Sequence, residues 1–149
     1  MVDASVVNRL LQMLQSHREQ LKKRHTSISS FKKFKADEFS QKAIQHYLQE
    51  MIQACIDIGN HIVSYEQLGN PEEYREIFDI LYRKKIISEA LTEKMKKMVG
   101  FRNVVIHLYE KVDLETIYNA FHRRLSDFDE FTMEIRRYLK SGAHSKKKR

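Results

Sequence analysis

The feature that most constrains the fold of this chain is the scarcity of residues that interrupt a helix. Only four glycines and one proline occur among its 149 residues. No long stretch of β-branched residues alternates with polar residues in the way that a half-buried strand requires. Apolar residues instead recur every three or four positions, which is the spacing of one face of an α-helix. The sequence therefore predicts an all-α fold, an antiparallel bundle of about five helices.

Capping residues and breaks mark the ends of these helices. Asp3 or Ser5 can cap a first helix that extends to about residue 24. The second helix is predicted from near residue 37 to about residue 65, and it is the longest. Gly69 and Pro71 form the clearest break, because glycine suits a helix end and proline the first turn of the next helix. A short third helix follows, after which Ser88 caps a fourth helix and Asp113 a fifth that ends near residue 139.

The length and the cysteine content narrow the class of protein. We expect a single domain over residues 1–140, followed by a basic, disordered tail over residues 141–149. The one cysteine, Cys55, excludes an intramolecular disulfide and a thiolate metal cluster. The beginning of the chain does not resemble a signal peptide, and no apolar run approaches the roughly 20 residues that span a bilayer. A cytoplasmic protein without a membrane partner is the resulting expectation.

The charge of the chain permits an acidic partner without identifying one. Its formal net charge is +7, and since the last four residues are all basic, the rest of the chain carries +3. A second basic cluster lies between Lys22 and Lys35. Such clusters attract polyanions such as RNA. They are equally typical of a solvated surface or a frayed terminus, so both interpretations stay open.

Several common kinds of catalytic site are missing from the sequence. It contains no phosphate-binding P-loop, no glycine-rich dinucleotide fingerprint, no metal-binding histidine or cysteine motif, and no nucleophilic serine elbow. We therefore expect any catalysis to use ordinary side chains, with neither a cofactor nor a metal.

One short segment, residues 100–109, concentrates side chains suited to phosphate chemistry. Arg102, Asn103, His107 and Tyr109 lie within about two helical turns, opposite an apolar stripe. On a regular helix Asn103 and His107 share one face, whereas Arg102 and His107 point about 140° apart. The arginine and the histidine would diverge within one chain unless the helix ends or distorts near His107. Two copies related by a two-fold axis could combine both pairs in one cleft, which predicts a symmetric homodimer.

The chemistry of this segment is suited to RNA cleavage. His107 can exchange protons at neutral pH, and Arg102 can hold the phosphodiester and stabilise the charge that develops on it. Asn103 can orient either the histidine or the phosphate. Attack by the ribose 2′-hydroxyl requires no metal and leaves a 2′,3′-cyclic phosphate. The alternative is that these are ordinary surface and partly buried residues of a helix.

A second candidate pair lies on the predicted second helix. Asp57 and His61 are four positions apart, so their side chains can form a hydrogen bond directly. The pair is either a local helix interaction or a support that lines the cleft and braces Arg102.

The sequence from Arg102 to Tyr109, Arg-Asn-Val-Val-Ile-His-Leu-Tyr, resembles the Arg-x4-6-His motif of HEPN-domain ribonucleases. In its Arg-Asn-x3-His-x-Tyr form it resembles the HepT toxins. Residues 54–62, 71–76, 98–101 and 109–113 resemble recurring segments of that family in the same order. The resemblance covers roughly residues 37–140, whereas the basic N-terminal segment is less similar.

The resemblance implies a HEPN-like dimer with the Arg102 and His107 pairs at the subunit interface. It implies a toxin that is a metal-independent endoribonuclease acting on RNA (tRNA or mRNA). It also implies a separate antitoxin, an MntA-like nucleotidyltransferase that transfers AMP onto Tyr109, which would place negative charge where RNA must bind. The alternative function is a non-catalytic helical module that binds RNA or a nucleotidyltransferase.

Overall fold

The computed structural model describes residues 3–107 and 113–142, and for residues 103–107 it describes the backbone alone. This part of the chain forms seven α-helices and no β-strand, which confirms the all-α prediction. The helices are α1 (Ala4–Lys23), α2 (Phe31–Lys35), α3 (Glu38–Tyr65), α4 (Tyr74–Arg83), α5 (Glu89–His107), α6 (Leu114–Arg123) and α7 (Leu125–Ser141). None of the described helices qualifies as a membrane-spanning segment.

Capping side chains begin α1, α3, α5 and α6, and Asp3, Ser88 and Asp113 are among the predicted caps. Asp3, rather than Ser5, caps α1, and the carboxylates of Asp37 and Asp113 cap α3 and α6. Ser88 Oγ accepts a hydrogen bond of 3.2 Å from a backbone N–H in the first turn of α5. These side chains satisfy N–H groups that have no partner within the helix itself.

The first difference from the five predicted helices is the short helix α2. Its N-cap is Ser30, whose hydroxyl accepts a hydrogen bond of 3.2 Å from the backbone N–H of Lys33. Phe34 holds the helix against the core and is completely buried. A helix of five residues is too short to show helical periodicity, so the sequence pattern did not reveal it.

The second difference is that the predicted fifth helix consists of α6 and α7. The chain leaves helical geometry at Arg124, where φ is −111° and ψ is 5°. Apolar residues continue at helical spacing on both sides of this residue, so the pattern reads as one helix. The break allows α6 to pack against α2 and α3 while α7 packs against α1 and α5.

The long helix α3 is the centre of the bundle and contacts α1, α2, α4, α5 and α6. Its approach to α4 is especially close at Gly59, where a Cβ atom would lie 2.6 Å from Cγ2 of Ile77. Since α4 and α3 both pack against α5, this approach places the beginning of α4 beside the last turns of α5. Residues 100–107 of the predicted site segment lie in those turns.

Candidate functional site

Arg102 lies near the C-terminal end of α5 and is half-buried. Its Nη2 donates a hydrogen bond of 2.7 Å to Oε1 of Gln53, in the middle of α3. Nε2 of Gln53 in turn donates a hydrogen bond of 2.8 Å to Oδ1 of Asp57, one turn further along α3. Arg102, Gln53 and Asp57 therefore form a continuous polar chain from α5 to the exposed side of α3.

The beginning of α4 covers another side of the same guanidinium. Cζ of Arg102 lies 5.5 Å from the centre of the Tyr74 ring, within the range of a cation–π interaction. Tyr74 remains 46% exposed. The next residue, Arg75, packs over Gly100, where a Cβ atom would lie 2.9 Å from its Nη2. Two guanidinium groups therefore lie along one short stretch of α5, which favours the binding of an anion.

One polar atom of Arg102 is not satisfied within the described part of the chain. Its Nε is buried and has no hydrogen-bond partner among the described residues. A buried N–H without an acceptor destabilises a fold by about 1–3 kcal/mol. Groups of this kind are rare in folded proteins, and a functional role is one common reason for their presence.

An open cavity of about 610 Å³ adjoins this arrangement. It is lined by the two residues before α4, by the first two residues of α4 and by one residue of α5: Glu72, Glu73, Tyr74, Arg75 and Val99. Among the described residues no group of histidine, cysteine, aspartate and glutamate side chains is arranged to hold a metal ion.

The other residues of the predicted motif are described only in part. The backbones of Asn103 and His107 belong to α5, and their side chains lie outside the description. Tyr109 lies outside the described residues. Of the predicted site residues, the structure thus brings Arg102 and Asp57 together, through Gln53.

His61 makes different contacts from those the spacing on α3 indicates. Its Nε2 accepts a hydrogen bond of 3.2 Å from the backbone N–H of Asp3, and its ring packs on Tyr65 with the ring centres 4.3 Å apart. Asp57 has Gln53 as its neighbour on the preceding turn and bonds to that residue. His61 therefore connects α3 to the beginning of α1.

Sequence reasoning assigned neither Gln53 nor Tyr74 to the site. Gln53 could have been recognised as a polar residue between two apolar residues, Ile52 and Ala54, four positions before a candidate aspartate. Nothing in the local pattern indicates that Tyr74 faces Arg102, because that contact depends on how α4 packs against α5.

The comparison with known families decides what kind of protein carries this arrangement. The model of the ribonuclease HepT-like family matches residues 14–135. The chain belongs to this family. The match includes the second half of α1. The similarity therefore begins earlier in the chain than the sequence segments indicated, since they placed its start at roughly residue 37.

Two relatives and one solved structure show how far this HepT-like chain resembles characterised proteins. The mRNA nuclease HepT of Shewanella oneidensis is 38% identical over 98 residues, which are 66% of this chain and 74% of that protein. The tRNA nuclease HepT of Aphanizomenon flos-aquae is 25% identical over 140 residues, 93% of this chain and 92% of that protein. A structure of the tri-AMPylated Shewanella oneidensis HEPN toxin in complex with MNT antitoxin has a TM-score of 0.80 and 30% identity, and the match covers 91% of this chain and 98% of that chain. The expected HEPN-like fold is confirmed.

Proposed function

We propose that this protein is the toxin of a toxin–antitoxin system and a metal-independent endoribonuclease whose catalytic residues are Arg102 and His107. The nucleases HepT of two organisms and the HEPN toxin bound to its antitoxin support the ribonuclease and toxin assignments. The observation that carries the site is the guanidinium of Arg102. It is half-buried, it is held between Gln53 and Tyr74, and its Nε has no hydrogen-bond partner among the described residues.

The reaction follows from the properties of the two side chains. His107, as the base, removes the proton of a ribose 2′-hydroxyl, and the 2′-oxygen forms a bond to the adjacent phosphorus. The bond between phosphorus and the 5′-oxygen then breaks, and the leaving oxygen receives a proton from an imidazolium. Arg102 stabilises the negative charge that builds on the phosphoryl oxygens, and Asn103 orients the imidazole or the phosphate. The products are a 2′,3′-cyclic phosphate and a free 5′-hydroxyl.

A homodimer completes the site in this proposal. Arg102 and His107 are five positions apart on α5, about 140° around its axis. A second copy of α5 across a two-fold axis supplies a histidine on the side where one chain presents its arginine. The active cleft therefore lies between two protomers.

Regulation is assigned to Tyr109 and a separate antitoxin. The AMPylated state of the Shewanella oneidensis toxin supports AMP transfer by an MntA-like nucleotidyltransferase. Each AMP adds a negative phosphate and a bulky nucleoside two positions after His107. Both the charge and the volume oppose the binding of RNA.

The contacts of Asp57 and those of His61 support different roles for the two residues. Asp57 acts through its hydrogen bond to Gln53, which contacts Arg102 directly. A role of His61 at the cleft stays a prediction, and its contact with the backbone of Asp3 supports a structural contribution.

The decisive experiment incubates purified, antitoxin-free protein with total RNA in EDTA, beside the variant His107→Ala. We expect wild type alone to cut RNA and to leave cyclic phosphate ends, while both proteins have the same circular dichroism and the same mass in solution. Loss of the dimer in His107→Ala would instead make this histidine structural. Intact mass spectrometry first establishes that the preparation carries no AMP on Tyr109. RNA that binds but remains intact with both proteins would favour the non-catalytic binding module.

A further inference from the structure

The position of Gln53 between Arg102 and Asp57 permits only one orientation of its amide group. A guanidinium has N–H donors and no acceptor, whereas an ionised carboxylate has acceptors and no donor. Oε1 of Gln53 must therefore face Arg102, and Nε2 must face Asp57, as their distances of 2.7 and 2.8 Å show. A rotation of the amide by 180° would replace both hydrogen bonds with repulsive contacts.

Gln53 itself is fixed by its place on α3. It is half-buried, with the buried residues Ile52 and Ala54 on either side. Asp57 lies one turn away on the same helix, so α3 keeps the backbones of the two residues at a distance that suits their hydrogen bond. The carbonyl that Arg102 meets is therefore presented by the most extensively packed helix of the bundle.

Two contacts of different kinds restrict the Arg102 guanidinium. The hydrogen bond to Gln53 fixes the direction of one N–H group, and the ring of Tyr74 fixes the face of the planar group. Together they define its orientation before any substrate is bound. Groups oriented in advance stabilise developing charge without a reorganisation during the reaction.

We propose that Gln53 is a positioning residue that aims Arg102 at the scissile phosphate, and that Asp57 holds the Gln53 amide in the orientation that this requires. The inference rests on the proposed function, because it assigns Gln53 to the same reaction. It predicts that loss of Gln53 lowers the turnover number more than the affinity for RNA. Many contacts bind the backbone of a long RNA, whereas few groups contact the charge that develops in the transition state.

The test compares four variants in steady-state cleavage of one RNA of defined sequence. Gln53→Leu removes the acceptor at nearly constant volume, and Gln53→Asn shortens the side chain by one methylene and withdraws the amide from Arg102. Gln53→Glu retains the oxygen that Arg102 contacts but replaces the N–H donor to Asp57 with a second oxygen, so it tests the contact with Asp57 separately. The matched control is Gln49→Leu, since Gln49 is also half-buried and lies one turn before Gln53 on α3.

We expect Gln53→Leu and Gln53→Asn to lower kcat by roughly tenfold or more, with KM for RNA nearly unchanged and with both variants still folded at the assay temperature. Gln53→Glu should also lower kcat, because its second carboxylate oxygen would repel Asp57 instead of donating to it, and Gln49→Leu should match wild type. A wild-type kcat in Gln53→Asn would overturn the inference, as would a raised KM at constant kcat. A fall in activity that only parallels a fall in melting temperature would also overturn it, because Gln53 would then be structural.

A parallel measurement of Arg102→Ala separates this inference from the proposed function. Full activity of Arg102→Ala would reject the proposed catalytic site itself. Loss of activity in Arg102→Ala with wild-type kcat in both Gln53→Leu and Gln53→Asn would reject only the positioning role.

Discussion

Nη2 of Arg102 and Oε1 of Gln53 are separated by 49 positions in the sequence and by 2.7 Å in the structure. This hydrogen bond joins the last turns of α5 to the middle of α3. The position of the motif arginine therefore depends on how α3, α4 and α5 pack against each other. Changes in that packing, even far from residues 102–109, are expected to alter stability and the site together.

The close approach of α3 and α4 predicts that Gly59→Ala destabilises the fold. Alanine is favoured over glycine in a helix by up to about 1 kcal/mol. At this position, however, the added Cβ would lie 2.6 Å from Ile77 and 3.4 Å from Leu81. We expect overpacking to dominate and the free energy of unfolding in urea to fall by about 1–3 kcal/mol.

The control for that prediction is Gly100→Ala on α5. Among the described residues, its Cβ would meet only the far end of the flexible Arg75 side chain, at 2.9 Å. The same substitution should therefore leave stability unchanged or raise it. Equal stabilities of the two variants would show that α3 and α4 can separate at no cost.

Burial of Asp127 predicts a pH-dependent effect on stability. The side chain is 7% exposed, and burial raises the pKa of its carboxyl above the ordinary value of 3.8, while Arg124 at 3.6 Å partly opposes the shift. The folded state therefore binds the proton more tightly than the unfolded state, so this group lowers stability as the pH rises from about 4 through the folded pKa. Asp127→Asn should be more stable than wild type at pH 7, and the difference should disappear below about pH 4.

Urea denaturation at pH values from 3 to 7 measures this difference. Asp129→Asn is the matched control, since Asp129 is exposed and pairs with Arg18 at 2.9 Å. Its stability at pH 7 should fall by about 0.2–1 kcal/mol, as for other surface ion pairs. A lower stability of Asp127→Asn than of wild type at pH 7 would mean that the pairing with Arg124 outweighs the burial.

If a catalytic cleft takes its arginine from one protomer and its histidine from the other, two inactive variants should complement each other in a heterodimer. Arg102→Ala and His107→Ala are each expected to lose cleavage as homodimers. Co-expressed with different affinity tags and purified through both, their heterodimer should regain a substantial fraction of wild-type activity, because one intact arginine and one intact histidine still meet in the cleft. An inactive heterodimer would argue that each site draws both residues from a single chain.

The assignment of Tyr109 as the modification site predicts a toxin that its antitoxin cannot control. Tyr109→Phe removes only the hydroxyl that accepts AMP, so RNA cleavage and growth inhibition should persist. Co-expression of the nucleotidyltransferase should rescue cells that carry wild-type protein and leave the variant toxic. Rescue of both would contradict the assignment. With no AMP on the variant by mass spectrometry, neutralisation would result from binding of the antitoxin, and with AMP on the variant it would result from modification of another residue.

The sequence alone was sufficient to predict the helical architecture and most helix boundaries, because these depend on local properties. Apolar spacing and the capping side chains of Asp3, Asp37, Ser88 and Asp113 act within one or two turns. The same local signals could not separate α6 from α7, since the apolar period continues through Arg124. They also missed α2, which is too short to have a period.

The contacts that define the candidate site were decided by the tertiary structure. Sequence spacing identified Arg102 and placed Asp57 next to His61, but the described hydrogen bonds connect Asp57 to Gln53 and His61 to Asp3. Side chains on one helix have competing neighbours on both adjacent turns and on other helices, and spacing alone cannot rank them. Only the packing of α5 and α4 against α3 brings Arg102 to the Gln53 carbonyl and to the face of Tyr74, where the polarity of each group then determines its partner.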